Sequence, residues 1–204
     1  MFKVRKRFQF DPSNIALKEQ FYAICNNIQT YDLKLLTITS VKDRGDIAPI
    51  IVNLGFAFAE MHKRTLLVDM NLHTPKLHEF LSMDSSVTVQ DLLVQTKIDY
   101  ECCVSKISSH LYCIPAKKSI DDSTKLLSLE VIDSFIEEWK QIFDYILFYT
   151  AETLEAPGSQ IITKKCEGVL LAVKRNKDSL RDIVHVKKKM ERNKSIFLGT
   201  MLYS

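Results

Sequence analysis

Apolar positions along the chain recur in two rhythms, and the alternation between them sets the expected fold. Short runs with little polar interruption read as strands: Leu35 to Ser40, Thr65 to Asp69, Leu111 to Pro115, Tyr145 to Tyr149, Gly168 to Lys174 and Ser195 to Leu202. Continuous apolarity without alternation means that both faces of such a strand are covered, as in a parallel sheet. Between these runs, Ile47 to Met61, Leu129 to Ile142 and Asp178 to Asn193 carry apolar residues at helical spacing. Another helix, Asn14 to Ile28, precedes the first strand, with Ser13 as its cap and Pro12 just outside. Helices and strands in alternation predict an α/β fold with a mostly parallel central sheet flanked by helices. No repeat, low-complexity segment or linker interrupts the pattern, so one domain is expected over 1–204: a leading basic segment and helix (1–30) and an α/β core (31–204).

Composition narrows the function classes. With 28 Lys+Arg against 25 Asp+Glu in 204 residues, the net charge of +3 is too small to announce a nucleic-acid binder, and 46% hydrophobic residues argue against disorder. The longest charge-free apolar stretch, Ile47 to Ala59, is short of the ~20 residues that span a bilayer. Met1 to Phe8 is charged without an apolar region behind it, which is not a secretory signal. Five cysteines (Cys25, Cys102, Cys103, Cys113 and Cys166) without CxxC spacing suit the reduced thiols of a cytoplasm. Cys102, Cys103, His110 and Cys113 lack zinc-site spacing, and His73 and His78 are five apart rather than the four that share a helical face, so no metal centre is expected. Asp69 with Asn71 lies where open α/β sheets place ligands, able to hold a hydrated cation or simply to end a strand in solvent. The basic run Lys3, Arg5, Lys6 and Arg7, interleaved with Phe2, Val4, Phe8 and Phe10, suits an anionic membrane or an acidic partner, at about 1 kcal/mol per basic residue near anionic lipid. Lys187 to Lys189, with Arg192 and Lys194, reads as the solvated face and C-terminal end of the last helix.

Several motifs occur in one order: Glu19-Gln-Phe and Asn27-Ile-Gln29 on the leading helix, Thr39-Ser40 ending the first strand, Asn53-Leu54, Lys63 to His78 through Asp69 and Pro75, Pro115-Ala116, Phe143-Asp-Tyr145 and Glu167 to Leu171. Together they resemble the cytoplasmic domain of the bacterial tyrosine kinases (BY-kinases) of capsule and exopolysaccharide export, which belong to the deviant P-loop group with MinD and ParA. The resemblance implies a P-loop NTPase-like fold and covers nearly the whole chain. It fails where the chemistry should be. The family's loop reads Ser-x-x-Pro-Gly-Glu-Gly-Lys-Ser-Thr; here, between Ser40 and Asn53 at the same spacing, stand Asp43, Arg44, Gly45, Asp46, Ile47, Ala48 and Pro49. By that correspondence Ile47 replaces the phosphate-binding lysine, Ala48 the magnesium-binding hydroxyl, and Arg44 and Asp46 the two cradle glycines. Asp69 is kept, but the second aspartate of its segment is Asn71, the following arginine is His73, and the Walker B aspartate is Tyr149. The leading helix keeps Glu19 and places Tyr22 and Cys25 where the family's oligomerising arginines stand, so a homo-octameric ring is not expected. No tyrosine-rich tail follows Leu202-Tyr-Ser204.

Physical chemistry points the same way. A phosphate cradle needs backbone N–H groups freed by glycines and aimed at one point beside a helix N-terminus. Only five glycines occur in the chain. Asp46, followed by Ile47 and Pro49, reads instead as a helix start capped by its own carboxylate. At about 4 Å a carboxylate repels a phosphate oxygen by ~4 kcal/mol at an effective dielectric of about 20. The missing lysine and metal ligand add to that, against the ~8 kcal/mol of a micromolar affinity. The expected protein is therefore catalytically inactive and cofactor-free, a binding or regulatory module of capsular or exopolysaccharide biosynthesis. It would be cytoplasmic, at the inner face of the cell membrane. By resemblance its partner is the cytosolic tail of a membrane polysaccharide co-polymerase or an active sister kinase, met through Lys3, Arg5, Lys6, Arg7, Glu19, Tyr22 and Cys25; the apolar Ile15, Phe21, Ile24 and Ile28 of the same helix either add to that surface or, for Phe21, Ile24 and Ile28, pack on the domain's own sheet. Two alternatives remain: an active tyrosine kinase or ATPase that binds ATP and Mg in a non-standard site, and a MinD/ParA-like positioning protein that has lost its switch.

Overall fold

The computed structural model describes residues 15–42, 47–83, 87–94, 103–117, 130–150 and 156–203. In chain order these form α1 (Ile15–Ile28), β1 (Leu35–Ser40), α2 (Ala48–Glu60), β2 (Thr65–Asp69), α3 (Leu77–Phe80), α4 (Val89–Val94), β3 (Ser105–Lys106), β4 (Leu111–Ile114), α5 (Val131–Ile142), β5 (Tyr145–Tyr149), α6 (Pro157–Lys165), β6 (Gly168–Lys174), α7 (Leu180–Arg192) and β7 (Ile196–Tyr203). The strands make one seven-stranded sheet in the order β3-β4-β2-β5-β1-β6-β7. Every pairing is parallel except β3 with β4. This is the mostly parallel α/β architecture that the alternating pattern predicts.

The unalternating strands are buried on both faces for the reason their sequences give. All residues of β1, β2 and β5 are buried. On one face, Leu36, Ile38, Leu67, Leu147 and Leu170 pack against α1 and α2. On the other, Leu35, Leu66, Val68, Ile146 and Phe148 pack against α4, α5 and α6, with Trp139 against Phe148. A third cluster joins Val169, Leu171 and Val173 of β6 to Val186 and Met190 of α7. The bounds of β1, β2, β5 and β6 coincide with the apolar runs, while β4 stops at Ile114 because Pro115 has no N–H for the ladder. The leading helix begins at Ile15, and the expected cap Ser13 lies outside the described residues. No described helix is long and apolar enough to cross a membrane.

At the N-terminal edge of the sheet one side chain holds three elements. Glu167, ahead of β6, accepts hydrogen bonds from the Lys34 and Leu35 amides at 2.7 and 2.9 Å and pairs with Lys140 of α5 at 2.8 Å. Burial favours the neutral acid, but the Leu35 and Lys34 amides and Lys140 outweigh it and hold the carboxyl below the usual glutamate range. Since the folded-state value is depressed, this stabilisation is full above the unfolded-state value and disappears as pH falls through the folded one. Glu167→Gln should therefore cost about 1–2 kcal/mol at neutral pH and nothing in acid. Urea melts across that range should show a shallower acid limb for the variant than for the parent; parallel limbs would contradict the assignment.

Candidate functional site

The C-terminal ends of β1, β2, β5 and β6 meet at one edge of the sheet, the edge where open α/β sheets receive ligands. Of the residues expected there, Asp43, Arg44, Gly45 and Asp46 lie outside the described set. Past them, the chain turns straight into the core. Ile47 is 3% exposed, Ala48 is fully buried, and Pro49 is buried in the first turn of α2. The N-cap position of α2 belongs to Ile47, whose carbonyl accepts from the Ile50 amide at 2.9 Å; the expected cap, Asp46, lies outside the described residues. Asp46 stands one residue before the cap. Pro49 sits in the first turn, where it has no N–H to satisfy, and the Ile47 side chain joins the apolar cluster beneath α2.

Asp69 ends β2 with no exposure at all. Its Oδ1 accepts from the Asn71 amide at 3.1 Å, and its Oδ2 from the Lys76 and Leu77 amides at 2.9 and 3.0 Å. The carboxylate thus supplies acceptors to the first amides of α3 and closes the loop that returns from the strand, a strong charge-assisted arrangement. Asn71, 4% exposed, forms an Asx turn in the same loop: its Oδ1 accepts from the Thr74 amide at 3.1 Å and its Nδ2 donates to Thr74 Oγ1 at 3.1 Å. The solvent-facing strand end expected for this pair is corrected to a buried, hydrogen-bonded turn. His73 is exposed on it.

Tyr149, which follows the apolar run of β5, is 3% exposed in the α2-side core, and its carbonyl accepts from Met70 at 2.8 Å. Beside it, Thr150 and Thr37 share a buried hydroxyl contact at 3.2 Å. Lys42, the last described residue after β1, is held by Asp182 of α7 at 2.9 Å. Lys42 and a Ser179 hydroxyl keep Asp182 below the ordinary aspartate range. At the same edge a cavity of about 450 Å³ opens between α1, α2 and the end of β7. Leu17, Phe21, Ile50 and Met201 give it apolar walls, and among the described residues Arg175 brings the one charged side chain. No short motif marks this cavity, since its walls come from four separate segments.

On α1, Glu19 is exposed, whereas Tyr22 donates its hydroxyl to Glu60 of α2, which also pairs with Lys18 at 2.7 Å. Burial and the bond to Glu60 push the Tyr22 phenol up. The partner-facing role expected of Cys25 is corrected, while of the two readings of the apolar helix residues, packing on the domain itself is the one observed for Phe21, Ile24 and Ile28. Cys25 is fully buried with its thiol directed to the Leu54 carbonyl at 3.9 Å, and burial pushes it up to about 12. Phe21 and Ile28 are 5% and 1% exposed, Ile24 is half-buried, and Ile15 alone of the four faces solvent. The amphipathic period that suggested a partner surface is the helix's packing against α2 and the sheet. Lys3, Arg5, Lys6 and Arg7 lie outside the described residues, as does Cys102. Cys103, Cys113 and Cys166 are buried, and among the described residues no three His, Cys, Asp or Glu side chains gather as a metal site.

No family model matches the chain. Among characterised proteins, it is 27% identical over 203 residues to a tyrosine-protein kinase, CpsD, of Streptococcus pneumoniae serotype 4, covering 97% of this chain and 87% of the relative. Among solved structures, the chimerical protein CapA2B2 superposes with a TM-score of 0.85 at 18% identity, over 95% of this chain and 86% of that one. The septum site-determining protein MinD of Pyrococcus horikoshii, solved with Mg-ADP, gives a TM-score of 0.70 at 23% identity, over 83% of this chain and 69% of that one. Such structural likenesses carry the fold, and the likeness to the kinase relative runs along nearly the whole chain. The chain has the P-loop NTPase-like fold shared by these solved structures and is similar in sequence, over nearly its whole length, to a bacterial tyrosine-protein kinase.

Proposed function

We propose that this protein keeps the BY-kinase fold without phosphoryl transfer or ATP binding, and serves capsular or exopolysaccharide biosynthesis as a binding or regulatory module. The observation that carries this reading is the apolar start of α2. Ile47, at the lysine position, is 3% exposed in the core, and Ala48 and Pro49 are buried behind it. Phosphoryl transfer depends on cations placed around the phosphates, and this helix start offers neither a cation nor a hydroxyl. The saturation of Asp69 by loop amides and the burial of Tyr149 support the same reading, so Mg-ATP does not fit the residues present.

In this reading the chain is one domain, with the basic segment ahead of α1 and the α/β core behind it. It works at the inner face of the membrane through the cytosolic tail of a polysaccharide co-polymerase or an active sister kinase. Lys3, Arg5, Lys6 and Arg7, with Glu19, are the residues offered to that partner. Octameric self-assembly has little support, because Tyr22 is engaged by Glu60 and Cys25 is buried, and neither can make the bidentate contacts of a guanidinium. The test is calorimetry between the protein and the co-polymerase's cytosolic peptide, with and without Mg-ATP. Equal affinity in both conditions is expected; binding that requires nucleotide, or tyrosine phosphate appearing in the mixture, would contradict it. A second reading, an ATPase with a non-standard site, has one observation in its favour: the apolar cavity beside Arg175, large enough for a base.

A further inference from the structure

The charge of the chain is segregated. From Lys174 to Tyr203 there are nine Lys and Arg against three Asp and Glu, so this stretch is strongly basic and the remainder of the chain is net acidic. The same stretch holds four of the seven large hydrophobic side chains exposed among the described residues: Leu180 at 75%, Val184 at 41%, Ile196 at 42% and Leu202 at 72%. It builds α7 and β7, and β7 is the last strand of the sheet, with no described strand on its other side.

These features lie along one line. Lys187 sits over the Phe197 ring at 5.8 Å, which turns the Leu180, Val184 and Lys187 stripe of α7 toward β7. In β7 the register with β6 shifts between Val169 and Leu170, leaving Leu198 as a bulge, and runs regularly from Gly199 to Tyr203. The Tyr203 carbonyl accepts from the Arg175 amide at 2.7 Å. By alternation, the backbone groups of Met201 and Tyr203 face β6, and those of Thr200 and Leu202 face outward. Exposed Arg181 and Lys188 flank the apolar stripe.

We infer that the free edge of β7, with the basic and aliphatic face of α7 beside it, binds an extended acidic segment of another protein as an added strand. Main-chain hydrogen bonds from Thr200 and Leu202 would give register, Leu180, Val184 and Leu202 would cover alternate aliphatic side chains, and the basic rim would select carboxylates. A second copy is the wrong occupant, because twofold pairing of β7 would bring two basic faces together. A bulged edge with a lysine-rich rim is also a device against self-pairing. Lipid is the wrong occupant as well, since an open sheet edge has no hydrogen-bond partners in a hydrocarbon phase. This inference stands whether or not the protein binds nucleotide.

The test is fluorescence anisotropy with a labelled peptide of eight residues, matching the eight of β7, alternating valine and glutamate. The wild-type chain should bind it in a salt-sensitive way, and should bind a valine-lysine peptide at least about tenfold more weakly. Methylating every second backbone amide of the probe, in two versions that block the valine or the glutamate amides, removes the strand-pairing donors in one of them without touching the protein, and that version should bind about tenfold or more weakly. Leu202→Pro, which removes an outward N–H and spares the β6 ladder, should do the same. Arg181→Glu with Lys188→Glu should abolish the salt dependence. Should the proline variant melt early, the methylated probes decide. Equal binding of both methylated probes and the plain probe, no binding of the plain probe, or tighter binding to phosphatidylserine vesicles than to the peptide would each overturn the inference.

Discussion

Asp69→Ala should destabilise the protein by about 3 kcal/mol, and lower the melting temperature by roughly 6–12 °C for a chain of this length. The replaced carboxylate is fully buried and accepts from the amides of Asn71, Lys76 and Leu77. Alanine leaves those three donors without their acceptor where water does not reach, and each orphaned amide carries a desolvation penalty. Asp69→Asn keeps one acceptor oxygen and should fall between the parent and the alanine variant. A carboxylate retained for a cation instead would be relieved of charge by either substitution, and the melting temperature would hold or rise. Thermal denaturation of the three proteins in a metal-free buffer separates the two accounts. In the family resemblance Asp69 looked like a catalytic remnant; its hydrogen bonds give it a different employment, closing the loop from β2 to α3.

Ile47→Lys, the substitution that nominally restores the P-loop lysine, should destabilise by about 2–4 kcal/mol and should not create ATP binding. Ile47 is 3% exposed in a cluster of aliphatic side chains beneath α2, so an ammonium there must either be desolvated or pull the helix start open. Ile47→Leu keeps the volume and should cost less than about 1.5 kcal/mol, which isolates the charge as the cause. Urea unfolding in the presence and absence of Mg-ATP reads both claims at once. A lysine variant as stable as the parent, and further stabilised by Mg-ATP, would mean that the loop still forms a cradle and lacks only its cation.

The strands were legible because a buried parallel strand leaves an unambiguous mark: β1, β2, β5 and β6 have the bounds of their apolar runs. α2 begins at Ala48 rather than Ile47, a difference of cap geometry that periodicity cannot resolve. α6 was not expected, because Pro157, Gly158 and Ser159 read as a turn while serving as its first turn, with Pro157 in the position that needs no donor. α3 and α4, of four and six residues, are too short to show a period. At the site, the family resemblance assigned expected lysine and hydroxyl positions to Ile47 and Ala48, but residue identity could not tell where the remaining side chains point. Asp69 and Asn71 look solvent-facing at a strand end until the loop to Leu77 folds back over them. Phe21, Ile24 and Ile28 look available to a partner until α2 packs against them, since helical periodicity marks an apolar face without saying what covers it.

The central claim, a BY-kinase fold without nucleotide chemistry, is tested most directly by titrating Mg-ATP into the unmodified protein by isothermal calorimetry. The apolar helix start at Ile47, Ala48 and Pro49 and the saturated Asp69 predict no saturable heat in the micromolar range. A one-site isotherm with micromolar affinity would contradict the account.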